Sequence, residues 1–187
     1  MSLDLPWSEE DRIWLQGLGL DLDPETEVRL ARFHGLLAEA NRVHNLTRIS
    51  GPEDFLRKHA LDALAFLAMV PGSRRAGSGS LLDVGTGGGL PGIPLLLLLP
   101  GWRGVLLDAT RKKADAVQGF LDALDLADRA ETAWGRVEDP ACMPGRVFDL
   151  VVARAVKAMP LLIGWCAPRV APGGMLVVSK EIGRAHV

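Results

Sequence analysis

Apolar positions recur at helical spacing through the first 70 residues of the chain. Asp23-Pro24 pairs a preferred N-cap residue with a proline suited to the first helical position. The apolar residues that follow predict an amphipathic helix over about residues 24–43: Val28, Ala31, Leu36, Leu37, Ala40 and Val43. Gly51-Pro52 interrupts this pattern, and a second helix is predicted after it. Residues 71–80 are rich in Gly, Ser and Arg, which predicts a surface connection.

After residue 80 the pattern changes to short apolar runs that alternate with helical segments. Strands are predicted at residues 81–84, 104–108, 130–134, 147–153 and 175–179. Helices are predicted after Pro91 and over residues 112–124. This alternation is typical of an α/β fold whose mostly parallel sheet is covered on both faces. The carboxyl ends of its strands, and so the ligand crevice, are then expected at one edge.

The composition narrows the class of protein without identifying it. Of 187 residues, 48% are hydrophobic and 24% charged, which is ordinary globular usage. The two cysteines, Cys142 and Cys166, lie in no Cys/His cluster, so we expect no metal site and a cytoplasmic location. No apolar run reaches the roughly 20 residues of a membrane span, and the first residues carry no signal-peptide pattern.

Charge is unevenly distributed along the chain. The net charge is −2, but residues 1–27 hold eight acidic side chains against Arg12 alone. The remainder has 20 basic and 15 acidic side chains, with one basic group at Arg111-Lys112-Lys113 and another between Arg29 and Lys58. Solvated helix faces would explain either group, whereas both together would also suit a phosphate backbone. The charge therefore permits an RNA partner without requiring one.

A glycine-rich loop follows the first predicted strand and precedes a helix. Its sequence, Asp83-Val84-Gly85-Thr86-Gly87-Gly88-Gly89, would let backbone N–H groups approach a ligand closely. Asp108 lies 23 residues after Gly85, where an acid can accept hydrogen bonds from ribose hydroxyls. Leu90 occupies the position of the third glycine of a dinucleotide fingerprint. The pattern favours S-adenosyl-L-methionine, with a nicotinamide-dependent oxidoreductase as the alternative.

Several further motifs occur in order along the chain. They are Asn45-Leu46-Thr47, His59-x-x-Asp62-x-Leu64, the loop extended through Leu90-Pro91-Gly92-Ile93-Pro94, Leu107-Asp108 with Lys112-Lys113, Gly135-Arg136-Val137-Glu138 and Ala153-Arg154-Ala155. Over about residues 28–180 the chain resembles the RsmG (GidB) family of small-subunit ribosomal RNA methyltransferases. The resemblance implies a class I S-adenosylmethionine-dependent methyltransferase fold, Rossmann-like, with a helical N-terminal extension. It also implies methylation of N7 of a guanine in 16S rRNA, either free or in the small subunit.

The resemblance assigns roles to particular residues. Gly85, Gly87 and Leu90 would form the loop against the methionine part of the cofactor, and Asp108 would hold the ribose. Val137 and Glu138 would bracket the adenine, although Glu138 could also belong to a solvated turn. Arg154 would face the cofactor and the RNA, or would pair with an acid such as Asp149.

The expected RNA contacts are drawn from the basic groups and the N-terminal motifs. They are Asn45, Arg48, His59, Lys112 and Lys113. His59 and Asp62 are one helical turn apart, so a structural pair is the alternative for His59. Trp102 and Trp134 could stack a base, although buried packing is commoner for tryptophan.

The chemistry implied by the family makes modest demands on the protein. N7 of guanine carries a lone pair, so no proton must leave and we expect no catalytic general base. No cysteine follows a proline, as a pyrimidine-C5 methyltransferase would need, and no Asn/Asp-Pro-Pro-aromatic motif follows the fourth predicted strand. The expected catalytic contribution is positioning.

Three segments are expected along the chain. Residues 1–75 form a helical extension and residues 76–181 a methyltransferase core that lacks its C-terminal strands. Residues 182–187 match the translation of ATC-GGA-AGA-GCA-CAC-GTC, the stem of a widely used sequencing adapter, which suggests a non-native tail. Two further expectations follow: an inactive RNA-binding fragment is an alternative function, and the full-length protein is expected to be a monomer.

Overall fold

Five parallel strands form the centre of the molecule. A computed structural model describes residues 5–20, 22–44, 46, 51–155 and 159–180. The strands are β1 (Gly79–Val84), β2 (Trp102–Asp108), β3 (Ala130–Trp134), β4 (Phe148–Ala155) and β5 (Val170–Lys180). Their order in the sheet is β3-β2-β1-β4-β5, and every neighbouring pair is parallel. The predicted parallel α/β sheet is thereby confirmed, with β3 at its exact predicted position.

Helices precede the sheet in the chain and also connect its strands, as the pattern predicts. They are α1 (Glu9–Gly17), α2 (Pro24–His44), α3 (Pro52–Phe55), α4 (Leu61–Ala68), α5 (Gly72–Arg75), α6 (Gly92–Leu98), α7 (Arg111–Ala123) and α8 (Met159–Cys166). A π-helical turn, Leu56–Ala60, joins α3 to α4, and a 3₁₀ turn, Ala167–Arg169, follows α8. The connection predicted over residues 71–80 is wrong in part, because it contains α5 and the beginning of β1.

The start of β5 differs from the prediction as well. The sequence predicts a turn at Pro172-Gly173-Gly174 and a strand from Met175, whereas β5 already begins at Val170. Phe148 pairs with Val170 and Leu150 with Met175, so the strand carries a register shift between these pairs. Gly173 has φ +75° within this irregular segment. A bulge thus combines the predicted turn residues with an extended strand.

Alternate residues of the strands serve two hydrophobic cores. Leu81, Leu106, Leu150 and Val152 belong to the core beneath the N-terminal helices, α6 and α7. Their neighbours Leu82, Val105, Leu107 and Val151 belong to a smaller core with Leu162 and Cys166 of α8. The period of two along each strand produces this division. Both faces of the sheet are therefore covered.

The N-terminal helices pack directly on the part of the chain that contains the sheet. The Phe33 ring of α2 lies edge-on to Phe55 at 5.8 Å and to Phe120 of α7 at 6.0 Å between ring centroids. Arg29 of α2 donates a hydrogen bond to the carbonyl of Leu124 at 2.7 Å. The helices of residues 5–68 and the sheet thus share one core, which places α4 beside the carboxyl end of β4.

Candidate functional site

A groove opens at the carboxyl ends of the parallel strands. It contains about 530 Å³ of empty space, including the part open to solvent. Its lining comes from the ends of β1, β2 and β4 with the residues that follow β1 and β2, from the segment after β3 and from α8: Val84, Gly85, Leu107, Ala109, Gly135, Arg136, Val137, Glu138, Arg154, Leu162 and Trp165. Ligands of doubly covered parallel sheets bind at this edge, so the position of the groove indicates a small-ligand site.

Two glycines of the loop leave space on the ligand side. Gly85 and Gly87 have φ of +73° and +59°, a conformation that side chains rarely adopt. A Cβ atom at Gly85 would meet nothing within 4 Å, and one at Gly87 only the Gly85 carbonyl at 3.9 Å. The N–H groups of Gly85 and Thr86 donate to the Leu107 carbonyl, which fixes the loop to β2. This half of the loop is a backbone-lined cradle.

The other glycines of the same stretch serve packing. A Cβ atom at Gly88 would lie 2.8 Å from Leu37 Cδ1, and one at Gly89 would lie 2.6 Å from Ile93 Cδ1. A Cβ atom at Gly92 would lie 2.7 Å from the carboxylate of Asp83. Leu90 is 2% exposed and belongs to the core. Its side chain therefore lies behind the loop and does not line the groove.

Asp83, at the head of the loop, is fully buried. Its Oδ2 atom accepts hydrogen bonds from Thr86 Oγ1 at 2.7 Å and from the N–H of Gly92 at 2.9 Å. Within the described part of the chain, its Oδ1 atom has no hydrogen-bond partner. Burial raises the pKa of Asp83 to about 6, against the opposing effect of the Thr86 and Gly92 bonds. The carboxyl thus holds the loop to the start of α6.

Asp108 ends β2 between two residues that line the groove. Its Oδ2 accepts a hydrogen bond from the N–H of Gly87 at 2.9 Å, and its Oδ1 accepts one from the N–H of Thr110 at 2.7 Å. The side chain is largely buried. The predicted ribose acid therefore also orients the glycine loop and the first turn of α7, a role that the sequence does not reveal.

Arg154 brings the N-terminal extension to the groove. It lies near the end of β4, half-buried, and its Nη1 is 2.9 Å from His59 Nδ1 and 3.6 Å from Asp62 Oδ2. Arg154 thus pairs with an acid, but this acid is Asp62 and not Asp149, which accepts its hydrogen bonds from Ser80. His59 and Asp62 do share a helical face, and that face meets Arg154.

His59 is 5% exposed and packs edge-on against the Phe55 ring. Burial, followed by the nearby Arg154 charge, lowers the pKa of His59 to about 4. A neutral ring can accept a hydrogen bond from the Arg154 guanidinium. The expected direct contact of His59 with RNA is therefore corrected to a contact with Arg154, because the ring offers almost no surface.

The segment after β3 forms the far wall of the groove. Val137 is buried and Glu138 is exposed, with Oε1 3.8 Å from Arg136 Nη1. Buried Arg169 holds this segment from behind, because its Nη2 donates to the carbonyls of Asp139 at 3.0 Å and Val137 at 3.4 Å. No sequence pattern marks Arg169, Leu162 or Trp165, and only their tertiary contacts bring them to this wall.

Of the remaining predicted RNA contacts, the described residues include Lys112 and Lys113. Lys112 is exposed and Lys113 partly exposed, both in the first turn of α7. Asn45, Arg48 and residues 181–187 lie outside the described residues. Trp102 is 2% exposed, in agreement with buried packing, whereas Trp134 is 61% exposed.

The described residues give no support to a metal site, a cysteine nucleophile or a membrane-spanning helix. They contain no group of three His, Cys, Asp or Glu side chains that could hold a metal ion. Burial raises the thiol pKa of Cys142, and that of Cys166 to about 11, so neither thiol is activated as a nucleophile. In the same ranges no helix combines the length and the apolar character that a bilayer crossing requires.

Comparison with known proteins gives one consistent family. Residues 26–184 match the model of the GidB family, described as rRNA small subunit methyltransferase G. A ribosomal RNA small subunit methyltransferase G of Methylobacillus flagellatus is 38% identical over 166 residues, which cover 89% of this chain and 77% of the relative. The corresponding protein of Desulfitobacterium hafniense is 35% identical over 171 residues, covering 90% and 69%.

Solved structures resemble the chain in fold. An O-methyltransferase from Bacillus cereus, solved in complex with SAH, aligns with a TM-score of 0.58 and 20% identity, covering 89% of this chain and 70% of its own. A putative S-adenosyl-L-methionine-dependent methyltransferase from Methanococcus maripaludis aligns with a TM-score of 0.57 and 17% identity, covering 80% and 63%. The fold is that of the class I methyltransferases.

Proposed function

Since this chain belongs to the GidB family of rRNA small subunit methyltransferases G, we propose that it methylates N7 of a guanine in 16S rRNA. The methyl donor is S-adenosyl-L-methionine, whose sulfonium supplies a methyl group already activated for transfer. The N7 lone pair forms the new bond to carbon while the carbon–sulfur electrons remain on sulfur. No proton leaves, so the protein needs no general base. Because the chain belongs to a methyltransferase family, the alternative of a nicotinamide-dependent oxidoreductase is not retained.

The open half of the glycine loop is the observation that carries the choice of cofactor. Gly85 lines the groove with a positive φ and with no atom within 4 Å of the place where a Cβ would lie. Asp108 stands beside it with a carboxylate fixed by two backbone N–H groups. Carboxylate oxygens retain further lone pairs, so Asp108 can accept ribose hydroxyls while it holds the loop. Val137 and Glu138 form the wall that we assign to the adenine.

Arg154 is the residue that we assign to the reacting end of the groove. Arg154 lines the groove, and its guanidinium contacts His59 and Asp62. A fixed cation there can orient the phosphate or the carbonyl oxygen of an incoming nucleotide. Positioning of this kind is the contribution that N7 methylation requires of the protein.

Methyl transfer from tritiated S-adenosyl-L-methionine tests this proposal. The substrates are small ribosomal subunits that lack the modification and, in parallel, their free 16S rRNA. We expect tritium in 7-methylguanosine after nuclease digestion. The substrate that is labelled, or that is labelled at the higher rate, is the one that the protein prefers. Label in another nucleoside would contradict the assignment of N7. Cofactor and RNA binding without transfer would instead support the inactive RNA-binding fragment.

A further inference from the structure

An exposed tryptophan lies at the rim of the groove, outside the residues that we assign to the cofactor. Trp134 ends β3, at the edge of the sheet, and 61% of its surface is exposed. Tryptophan is highly buried on average in globular proteins, as Trp102 is here at 2%. Its neighbours Gly135 and Arg136 line the groove. A large flat apolar surface is therefore offered to solvent beside the proposed active site.

The orientation of the Trp134 ring is fixed by two contacts. Its Nε1 donates a hydrogen bond to the carbonyl of Ala109 at 3.1 Å. The guanidinium carbon of Arg111 lies 5.4 Å from the ring centroid, within the range of a cation–π interaction. The ring is thus held in place before any ligand arrives. A surface that is already ordered loses less conformational entropy on binding.

Arg111, which contacts the ring, belongs to a group of basic residues in the two chain segments next to it. Arg111, Lys112 and Lys113 occupy the first turn of α7, and Arg136 follows β3 by two residues. Two exposed acids offset part of the charge: Asp115 lies 3.9 Å from Arg111, and Glu138 lies 3.8 Å from Arg136. Asp139, next to Glu138, is a third exposed acid, so four basic groups stand against three acidic groups and the surface keeps a positive excess. Exposed ion pairs of this length are weak and are easily exchanged for other anions.

We propose that Trp134 stacks a base of single-stranded RNA beside the target guanine, while Lys112, Lys113 and Arg136 contact the adjoining phosphates. The inference rests on the proposed function, because it takes the RNA substrate as given. An exposed aromatic ring combined with a positive rim is the arrangement by which proteins hold unpaired bases. A double helix keeps its bases stacked internally and could not use the ring in this way.

The stacked base is a neighbour of the target and not the target itself. Trp134 ends β3 and Arg154 lies near the end of β4, and three strand spacings separate these strands in the sheet. At about 4.8 Å per spacing, the two positions are roughly 14 Å apart across the sheet. The surface therefore assists recognition of the sequence or shape around the target, and it should affect RNA affinity more than the chemical step.

The test compares Trp134→Ala and Trp134→Leu with Trp134→Phe, which retains an aromatic face. Trp14→Ala is the matched control, since Trp14 is also exposed, at 42%, but lies on α1. Fluorescence anisotropy measures the Kd of a labelled single-stranded 16S rRNA fragment of about 12 nucleotides. Calorimetry measures the affinity for S-adenosyl-L-methionine, and tritium transfer to undermodified subunits gives kcat and KM.

We expect the Ala and Leu variants to raise the RNA Kd and the KM by at least about 5-fold. Their kcat and cofactor affinity should be unchanged, and the Phe and Trp14 variants should resemble the original protein. The inference is overturned if the original protein does not bind the fragment, or if Trp134→Leu binds it equally well. Weaker cofactor binding at constant RNA affinity would make Trp134 a wall of the groove instead. Because RNA binding is scored without methyl transfer, failure of the proposed activity is recognised separately.

Discussion

At the scale of single residues, the carboxylate of Asp108 joins three parts of the site. It accepts hydrogen bonds from the N–H of Gly87 in the loop and from the N–H of Thr110 before α7. It also ends β2, and the residues on either side of it line the groove. A charged acceptor strengthens each of these hydrogen bonds. Asp108 is therefore both a proposed ligand of the ribose and a support for the backbone around it.

We predict that Asp108→Ala weakens the binding of S-adenosyl-L-methionine on the order of 100-fold. Two hydroxyl hydrogen bonds to a charged acceptor are lost, at about 1.5 kcal/mol each. Isothermal calorimetry measures the change. Asp149→Ala is the matched control, because Asp149 accepts equivalent bonds from Ser80 at the beginning of β1. The control should lose stability but keep its affinity for the cofactor, whereas unchanged affinity in Asp108→Ala would remove Asp108 from the site.

Burial is the residue-scale property that the sequence predicts least well. The sequence singles out Asp108 and Arg154 because each lies at the end of a predicted strand, and the structure places both at the same edge of the sheet. The exposure of Trp134 and the burial of His59 are different, because each depends on a partner distant in the chain. His59 contacts Arg154, 95 residues later, and Trp134 is exposed because β3 is an edge strand. Local patterns contain neither fact.

At the scale of elements, the segment from Gly85 to Gly92 divides into a ligand half and a packing half. Gly85 and Gly87 have positive φ and open surroundings, whereas Gly88, Gly89 and Gly92 lie against Leu37, Ile93 and Asp83. The sequence presents these glycines as one loop. The contact between Gly88 and Leu37 depends on α2 crossing behind the loop and joins residues about 50 positions apart, whereas the contacts of Gly89 and Gly92 are local in the chain.

We predict that Gly87→Val abolishes cofactor binding while the protein remains folded. A β-branched residue at φ +59° costs about 1–3 kcal/mol, less than the typical stability of a domain. The side chain would occupy the open side of the loop, where we place the methionine part of the ligand. Thermal melting with and without S-adenosylhomocysteine measures both effects. A ligand-induced rise in the Tm of this variant would contradict the loop assignment.

Gly119→Ala provides a matched control in a regular element. Gly119 lies within α7, and a Cβ atom there would meet nothing within 4 Å. Alanine should therefore stabilise the protein by about 0.5–1 kcal/mol and leave ligand binding unchanged. A loss of stability in this variant would contradict the open surroundings of Gly119 on α7.

Strand positions were more predictable than strand ends. β1 to β4 agree with the apolar runs to within two residues at each end, because a buried parallel strand needs a nearly continuous apolar sequence. β5 begins five residues before its predicted start, since Pro172 and the two glycines that follow it are absorbed in a bulge. Turn residues and bulge residues are the same types, and the partner strand decides between them.

At the scale of the whole molecule, two buried titratable groups respond to pH in opposite ways. Burial raises the pKa of Asp83 to about 6, so the folded protein holds this proton more tightly than the unfolded chain, where the pKa is 3.8. Burial and Arg154 lower the pKa of His59 to about 4 from 6.5, so the folded protein releases that proton more easily. Between pH 4 and 6 the free energy of unfolding therefore falls with rising pH through Asp83 and rises with pH through His59.

We predict that the two contributions largely cancel in the original protein and separate in single variants. In His59→Gln the free energy of unfolding should fall as the pH rises from about 4.5 to about 6, because only the Asp83 effect remains. In Asp83→Asn it should rise over the same interval, because only the His59 effect remains. Urea unfolding at several pH values measures these slopes.

Asp11, Asp23 and Asp149 do not disturb the comparison, since hydrogen bonds hold their pKa below 3.8 and their contribution is lost only at lower pH. His59 belongs to the N-terminal helices and Asp83 to the sheet. Opposite slopes of the two variants, each in one cooperative transition, would therefore show that helices and sheet unfold as a single unit. Slopes of the same sign in the two variants would contradict the burial assigned to these side chains.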